Sequence, residues 1–207
     1  MTGASQHAAL AWSTMIAEKT AQVTGLQINV YSQTFSPQVG TMVFGTMVPD
    51  LPALETAWDK LLVDDGYNDL VEQGLHYFIP GSFDDSLALC IHPAGGPDVS
   101  PRDIEYLSVV SSTVNPGHHR QALELGVRIA QRIEKVAAVP AMFVTESTGS
   151  FGGVAWLLGL RDAAELERAQ MSIYSDEQFL KMLDEECNTA FSVMPEASTQ
   201  TLLRRLV

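Results

Sequence analysis

An order of secondary-structure signals that occurs twice constrains the fold of this 207-residue chain more than any other feature. Residues 23–58 read as strand, turn, strand and then a helix that begins at Asp50. Residues 138–170 repeat that order with a helix that begins at Asp162. Ordered agreement of caps, turns and periodicity is stronger evidence of repetition than literal identity, so we predict two copies of one structural unit.

Helices and strands flank both copies at matching places. An amphipathic helix precedes each copy, over residues 5–22 and 118–137, and Thr24-Gly25 is a plausible stop for the first. A second helical segment begins near Asp64 in one half and near Asp176 in the other. Capping-box patterns are formed by Glu165 after Asp162 and by Ser175 with Gln178. Each half then ends in a predicted strand, over residues 86–92 and 198–207.

The segment PAGGPDVSPRD, residues 93–103, is typical of a linker because of its prolines and glycines. We therefore predict a first repeat over residues 1–92 and a second over residues 104–207. A strand over 104–114 opens the second repeat, whereas the first begins directly with its helix. We expect either an upstream start or another segment or subunit that covers the open sheet edge, so a homo-oligomer is the expected state.

The predicted order of the second half, strand, helix, strand, strand, helix, strand, is the split β-α-β unit. With segments such as VNPGHHRQALELGVRIA and LLVDDGYNDLVEQG, it resembles the dimeric α/β-barrel, or ferredoxin-like, superfamily in a tandem single-chain form. Members of that superfamily include antibiotic biosynthesis monooxygenases, haem-degrading monooxygenases, and EthD-like and NIPSNAP-like proteins. The resemblance implies an α+β fold in which two ferredoxin-like repeats form a barrel as a pseudo-dimer, with antiparallel sheets inside and helices outside.

Composition excludes several classes of partner. Lys and Arg number 12 against 25 Asp and Glu, a formal charge of -13, so neither a nucleic-acid surface nor an anionic membrane is an expected partner. The longest apolar stretch, residues 152–160, is about half the length that a bilayer crossing needs, so no membrane insertion is expected. The N-terminus lacks the pattern of a secretory signal, which makes a cytoplasmic location the default expectation. No metal-ligand spacing is present, so no metal site is predicted.

A candidate substrate pocket lies in the first half. Asn29 and Tyr31 lie on the same face of a predicted strand, because alternate residues of a strand share a face. With a nearby Trp they resemble the pocket composition of the cofactor-independent monooxygenases, in which a phenolic substrate reacts with oxygen without metal or flavin. Further aromatic and amide side chains that would complete this pocket are Phe44, Trp58 and Asn68, with Trp12. The alternative is that these large side chains are ordinary core residues.

Two residues are candidates for proton transfer. His76 follows the second helical segment, in the region where the haem-degrading relatives carry their axial histidine, although its spacing from Tyr67 differs from theirs. Glu146 ends a strand, and a carboxylate that faced a closed cavity there would have a raised pKa and act as a general base. The alternatives are a loop histidine and a carboxylate solvated beside the STGS turn.

Two functions remain open at this level. The first is a small-molecule-binding α/β-barrel enzyme, a monooxygenase that acts on an aromatic or polyketide-like compound. It would have no cofactor or, in a haem-binding variant, His76 or His92 as the ligand. The second is a non-catalytic ligand-binding or self-assembling protein that uses the same barrel. A cavity between helices and sheet favours the first function, and a space filled by Met, Phe and Trp favours the second.

Overall fold

The computed structural model describes residues 3–35, 40–79, 81–94, 103–192, 194 and 197–206. The chain divides into two compact units. Unit 1 comprises Met1–Asp84 with Arg205–Val207, and unit 2 comprises Asp85–Arg204. Within the described residues, none of the helices is both long enough and apolar enough to cross a membrane.

Unit 1 combines helices with one antiparallel strand pair. Its elements in chain order are α1 (Gly3–Thr24), β1 (Asn29–Thr34), β2 (Met42–Gly45), α2 (Leu51–Leu62) and α3 (Asp65–Gly74), followed by a 3₁₀ turn (Leu75–Tyr77). The predicted end of the first helix is confirmed, because Gly25 follows it with a φ of 79°. The β1–β2 register places Asn29 opposite Gly45 and Val30 opposite Phe44.

Unit 2 contains the larger sheet. Its elements are β3 (Ala88–His92), β4 (Tyr106–Thr113), α4 (His119–Ala137), β5 (Ala141–Glu146), β6 (Gly153–Leu160), α5 (Ala163–Tyr174), α6 (Glu177–Met182), a π-helical turn (Leu183–Cys187), α7 (Asn188–Ala190) and β7 (Thr199–Arg205). The strands lie in the order β7, β4, β6, β5, β3 across the sheet. Every neighbouring pair in this unit is antiparallel, so the predicted α+β class with an antiparallel sheet is confirmed.

The sequence signals for helix starts have the same geometry in both units. Asp50 and Asp162 adopt φ/ψ of -162°/171° and -158°/174°, and each accepts a hydrogen bond from the backbone N–H three residues later. Asp64 and Asp176 agree as closely, at -88°/109° and -89°/109°. The two predicted N-caps, Asp50 and Asp162, and the predicted helix starts near Asp64 and Asp176 are therefore confirmed.

The capping-box predictions need two corrections. Ser175 is not the N-cap of α6, because Asp176 fills that position and accepts from the Phe179 N–H at 2.7 Å. Glu165 reaches past the N-cap Asp162, and its carboxylate accepts from the Arg161 N–H at 2.6 Å.

The core of unit 2 lies between the sheet and the inner faces of α4 and α5. Strand β5 contributes the fully buried Phe143, and β6 contributes a run of buried residues that includes Val154 and Leu160. Helix α4 buries one side, and its buried positions follow the three-four spacing that predicted the helix: Ala122, Leu125, Gly126, Ile129, Ala130 and Ile133. This face of the sheet is the wall on which the candidate site is built.

Candidate functional site: a cavity in unit 2

A cavity of about 410 Å³ lies in unit 2 between the helix-facing side of the sheet and helices α4 to α6. Its inner wall includes Ile129 and Ile133 from α4, Trp156 and Leu160 from β6, and Phe179 from α6, all of them buried. Ligand pockets of this kind occupy about 300–1,000 Å³ and are lined mainly by apolar side chains. The volume is therefore sufficient for a small organic molecule.

Small side chains on β4 explain why the core leaves space here. Successive residues of a strand face opposite sides, so Ser108, Val110 and Ser112 share the side that faces the helices. The β4–β6 register places Trp156 opposite Val110 and Leu158 opposite Ser108. Two serines occupy positions where a large apolar residue would otherwise fill the interior, and the volume they do not fill is the cavity.

Aromatic packing holds Trp156 in one orientation on the cavity wall. Its indole N–H donates to the Gly126 carbonyl at 2.9 Å. Its ring lies 5.0 Å from the ring of Phe143 and 5.2 Å, nearly perpendicular, from that of Phe191. A tryptophan fixed by a hydrogen bond and two ring contacts presents a rigid flat surface, which suits a flat aromatic ligand.

Among the described residues that line this cavity there is no Asp, Glu, Lys, Arg or His. The polar lining groups are hydroxyls, amides and one thiol. Ser112 Oγ and Ser198 Oγ lie 3.0 Å apart and share a hydrogen bond. Burial raises the pKa of the Cys187 thiol to about 11, with a further contribution from the neighbouring Glu186, so this thiol is neutral at pH 7. The site can bind an uncharged ligand without leaving an unpaired charge buried.

The cavity opens along α5 and the segment that precedes β7. Five exposed residues line this opening: Gln170, Tyr174, Asn188, Met194 and Ser198. The π-helical turn contributes Leu183 and Cys187 to the cavity wall, and Arg128 of α4 donates to Glu186 in the same turn at 3.2 Å. Single π-helical turns of this kind are frequent at functional sites.

The residues that sequence analysis selected lie elsewhere. Among the described residues, none of the seven lines the unit 2 cavity. In unit 1, Phe44 lies opposite Val30 and contacts the Trp12 ring at 6.4 Å. Asn29 and Tyr31 project from the other face of the same strand pair, because strand alternation separates them from Val30. Burial raises the pKa of Tyr31.

The other predicted residues occupy exposed or capping positions. Trp58 is 54% exposed on α2, and the Asn68 side-chain amide donates to the Leu62 carbonyl at 3.2 Å. His76 is exposed, and its ring lies 4.0 Å from that of Tyr77. Glu146 is exposed at the β5–β6 turn, where its carboxylate accepts from the Ser150 N–H at 2.8 Å.

The centre of unit 1 is filled by Trp12 rather than open around it. Trp12 is 6% exposed, and its indole N–H donates to the Leu70 carbonyl at 2.7 Å. The rings of Tyr77 and Phe78 lie 6.1 Å and 5.3 Å from it. A Cβ at Gly74 would overlap this indole, so the glycine permits the close approach. The structure therefore brings Phe44 and the neighbour of His76 together in one packed aromatic cluster.

His92, considered above as a haem ligand, lies in unit 2 with its Nε2 3.2 Å from the Glu134 carboxylate. Neither His92 nor His76 lines the cavity. Across the described part of the chain, no group of three or more His, Cys, Asp or Glu side chains is arranged to hold a metal ion.

Sequence analysis missed the serines of β4, although the signal was present. In the strand YLSVVSST, the helix-facing residues 108, 110 and 112 are Ser, Val and Ser. A purely structural strand would carry only apolar residues at these positions. Small polar residues on the core-facing side of a predicted strand indicate either a hydrogen-bond network or an adjacent space.

No protein-family model matches the sequence, and no curated protein matches it at a significant level. Two solved structures are similar in fold. A Fusobacterium nucleatum protein provisionally named a monooxygenase aligns with a TM-score of 0.69 at 11% identity, over 96% of this chain and 84% of its own. An anthrone oxidase-like protein aligns with a TM-score of 0.59 at 12% identity, over 99% of this chain and 86% of its own. These likenesses show a shared fold.

Proposed function

We propose that the protein binds a flat, uncharged aromatic molecule in the unit 2 cavity. The observation that carries this proposal is the cavity of about 410 Å³, whose described lining residues are uncharged and include the fixed indole of Trp156. An aromatic ligand would remove apolar surface from water and stack on or against that indole. A charged ligand would lose its hydration without gaining a counter-charge.

We also propose that the chain is a tandem of two ferredoxin-like repeats of the dimeric α/β-barrel superfamily. In unit 2, the strand that precedes α4 lies between the third and fourth strands of the repeat, as in a split β-α-β unit. The matched dihedrals of Asp50 with Asp162 and of Asp64 with Asp176 support a common origin for the two units. Each of the second caps also pairs with a cation on the preceding long helix, Lys19 for Asp64 and Arg132 for Asp176.

A second candidate function is oxidation of the bound compound by molecular oxygen, which the names of the two similar structures favour. With anthrone as substrate, two C–H bonds of the ring methylene would break. One oxygen atom of O₂ would become the new carbonyl, and the other would leave as water. The roles predicted from sequence are His76 or Glu146 as proton acceptor and Asn29, Tyr31, Phe44, Trp58 and Asn68 as substrate-binding residues. None of the seven lines the unit 2 cavity, so these roles apply only to a compound bound outside it.

Equilibrium dialysis with anthrone and with naphthols tests the binding function. Saturable binding of one molecule per chain is expected, and Leu160→Trp, which places a large ring in the inner wall, is expected to abolish it. Leu107→Trp is the matched control, because Leu107 is on the other face of β4 by strand alternation. Absence of saturable binding in the unmodified protein would overturn the proposal.

An oxygen electrode then separates the two functions. Consumption of O₂ with anthrone, absent in protein-free controls, would support turnover, and His76→Ala and Glu146→Gln would test whether either residue accepts the proton. A loss of at least about 10²-fold is expected for the true base. Binding without O₂ consumption would leave a ligand-binding protein, the second function considered from sequence. A visible absorption band in natively purified protein would instead indicate the haem-binding variant.

A further inference from the structure

The Ser108 hydroxyl is a polar group that faces the cavity without a protein partner. Ser108 is only 6% exposed and lines the cavity. No hydrogen bond of its hydroxyl occurs within the described residues, and none of their side-chain nitrogens or oxygens is both fully enclosed and unpartnered. The hydroxyl must therefore border open space, and the space beside it is the cavity. A hydroxyl that borders this space is free to donate a hydrogen bond to a ligand oxygen.

A second polar point lies on the same side of β4, nearer the opening. Ser112 is 8% exposed, and its hydroxyl shares a hydrogen bond with that of Ser198 on the exposed rim. Four residues of a strand separate the two points by about 13 Å. Between them, Val110 of β4 and Trp156 of β6 lie side by side and form an apolar surface, and the exposed Gln200 of β7 lies on the other side of Val110. The β4 wall of the cavity thus has a hydroxyl at each end, with an apolar surface between them on the β6 side.

We propose, on the basis of the function proposed above, that the ligand is a flat aromatic compound with an uncharged oxygen function at each end. The inner oxygen accepts a hydrogen bond from Ser108, and the outer oxygen binds the Ser112–Ser198 pair. Subtracting two O–H···O bonds of about 2.8 Å each leaves about 7–8 Å between the ligand oxygens. That separation fits hydroxyls or carbonyls at opposite ends of two fused rings.

Two probes that differ by one hydroxyl test this assignment. One is a naphthalenediol with a hydroxyl at each end of the long axis, and the other is the naphthol that lacks one of them. The unmodified protein is expected to bind the diol about 3- to 10-fold more tightly, the range for one neutral hydrogen bond. In Ser108→Ala the ratio is expected to fall to about 1, because the inner hydrogen bond is lost.

Controls separate a lost hydrogen bond from a damaged wall. Thr113→Val removes a hydroxyl from the same strand at a position that does not line the cavity, so the ratio should not change. Ser108→Thr restores the hydroxyl and should restore part of the ratio. If Ser108→Ala fails to fold, as judged by circular dichroism, Ser108→Cys serves in its place, because a thiol is a weak donor of similar size.

The outcomes distinguish the two proposals. Equal binding of both probes by the unmodified protein, or a ratio unaffected by loss of the Ser108 hydroxyl, would overturn the assignment of a two-ended ligand and leave the binding function intact. Failure of the unmodified protein to bind either probe or anthrone would overturn the binding function itself.

Discussion

At the scale of single residues, Asp176 both caps a helix and forms an ion pair. Its carboxylate accepts from the Phe179 N–H and from Arg132 Nε, the latter at 2.8 Å. The hydrogen bond from Arg132, with the backbone hydrogen bond and the positive charge, lowers the pKa of Asp176 below its ordinary 3.8. A group whose folded pKa is lowered stabilises the fold above its unfolded pKa and loses that effect as pH falls through the folded value.

Asp176→Asn is therefore expected to lower stability at pH 7 and to have progressively less effect below about pH 4. An asparagine still caps the helix, so the loss of stability measures the contribution of the negative charge. Urea unfolding from pH 7 to pH 2.5 measures it. Asp64→Asn is the matched change in unit 1, where Lys19 Nζ lies 2.9 Å from the carboxylate. A destabilisation by Asp176→Asn that stays constant across this range would show that the ion pair contributes nothing.

Residue-scale predictions succeeded where the signal was local. An N-cap needs only its own side chain and an N–H three residues away, so Asp50 and Asp162 were predictable from sequence. The cavity depends on contacts between distant segments, such as Trp156 with the carbonyl of Gly126. For the same reason, the sequence could not predict that the Ser108 hydroxyl faces the cavity without a protein partner, because this depends on how the helices pack on the sheet.

At the scale of elements, the close approach of α4 to β5 depends on Gly126. A Cβ at this position would overlap the Phe143 ring, and the Gly126 carbonyl accepts from Trp156. Gly126→Ala gains about 1 kcal/mol of helix propensity, but overpacking typically costs about 1–3 kcal/mol. An added Cβ would lie far closer to the Phe143 ring than van der Waals contact allows, so the cost is expected in the upper part of that range, about 2–3 kcal/mol. We therefore expect a net destabilisation of about 1–2 kcal/mol in urea unfolding, with weaker aromatic binding because Trp156 is displaced.

Gly66→Ala is the control for that substitution. Gly66 also lies in a helix, but a Cβ there meets the flexible end of the Lys19 side chain at 3.1 Å. The propensity gain should then dominate, so the variant should be as stable as the unmodified protein or more stable. If Gly126→Ala behaved in the same way, the packing of α4 on β5 would be looser than the contact implies.

The ends of strands were predicted well where the β-forming residues formed one continuous run, and less well where pairing with a neighbouring strand set the ends. Strand β5 coincides with the predicted AMFVTE, whereas β1 begins at Asn29, later than the apolar run LQINVY suggested. Its bounds follow its pairing with β2 rather than its own composition. The π-helical turn over Leu183–Cys187 has no sequence signature, because it depends on how α6 meets α4.

At the scale of the whole molecule, α1 to α3 of unit 1 and α4 to α6 of unit 2 share the order helix, strand, strand, helix, helix, but the interiors of the two units differ. Aromatic residues made the first half the predicted location of the pocket, but large rings also fill space, and Trp12 fills the centre of unit 1. Unit 2 has small residues at the corresponding depth and contains the cavity. Residue type alone cannot distinguish a ring that lines a site from a ring that occupies it.

The three tryptophans allow the two units to be compared in one experiment. In a variant with Trp12→Phe and Trp58→Phe, the only remaining tryptophan is Trp156 on the cavity wall, so a bound naphthol should quench its emission saturably. With Trp156→Phe and the other two retained, the same ligand should change the emission little. The opposite result would place the ligand in unit 1, beside Phe44 and His76, and the pocket predicted from sequence would then be the binding site.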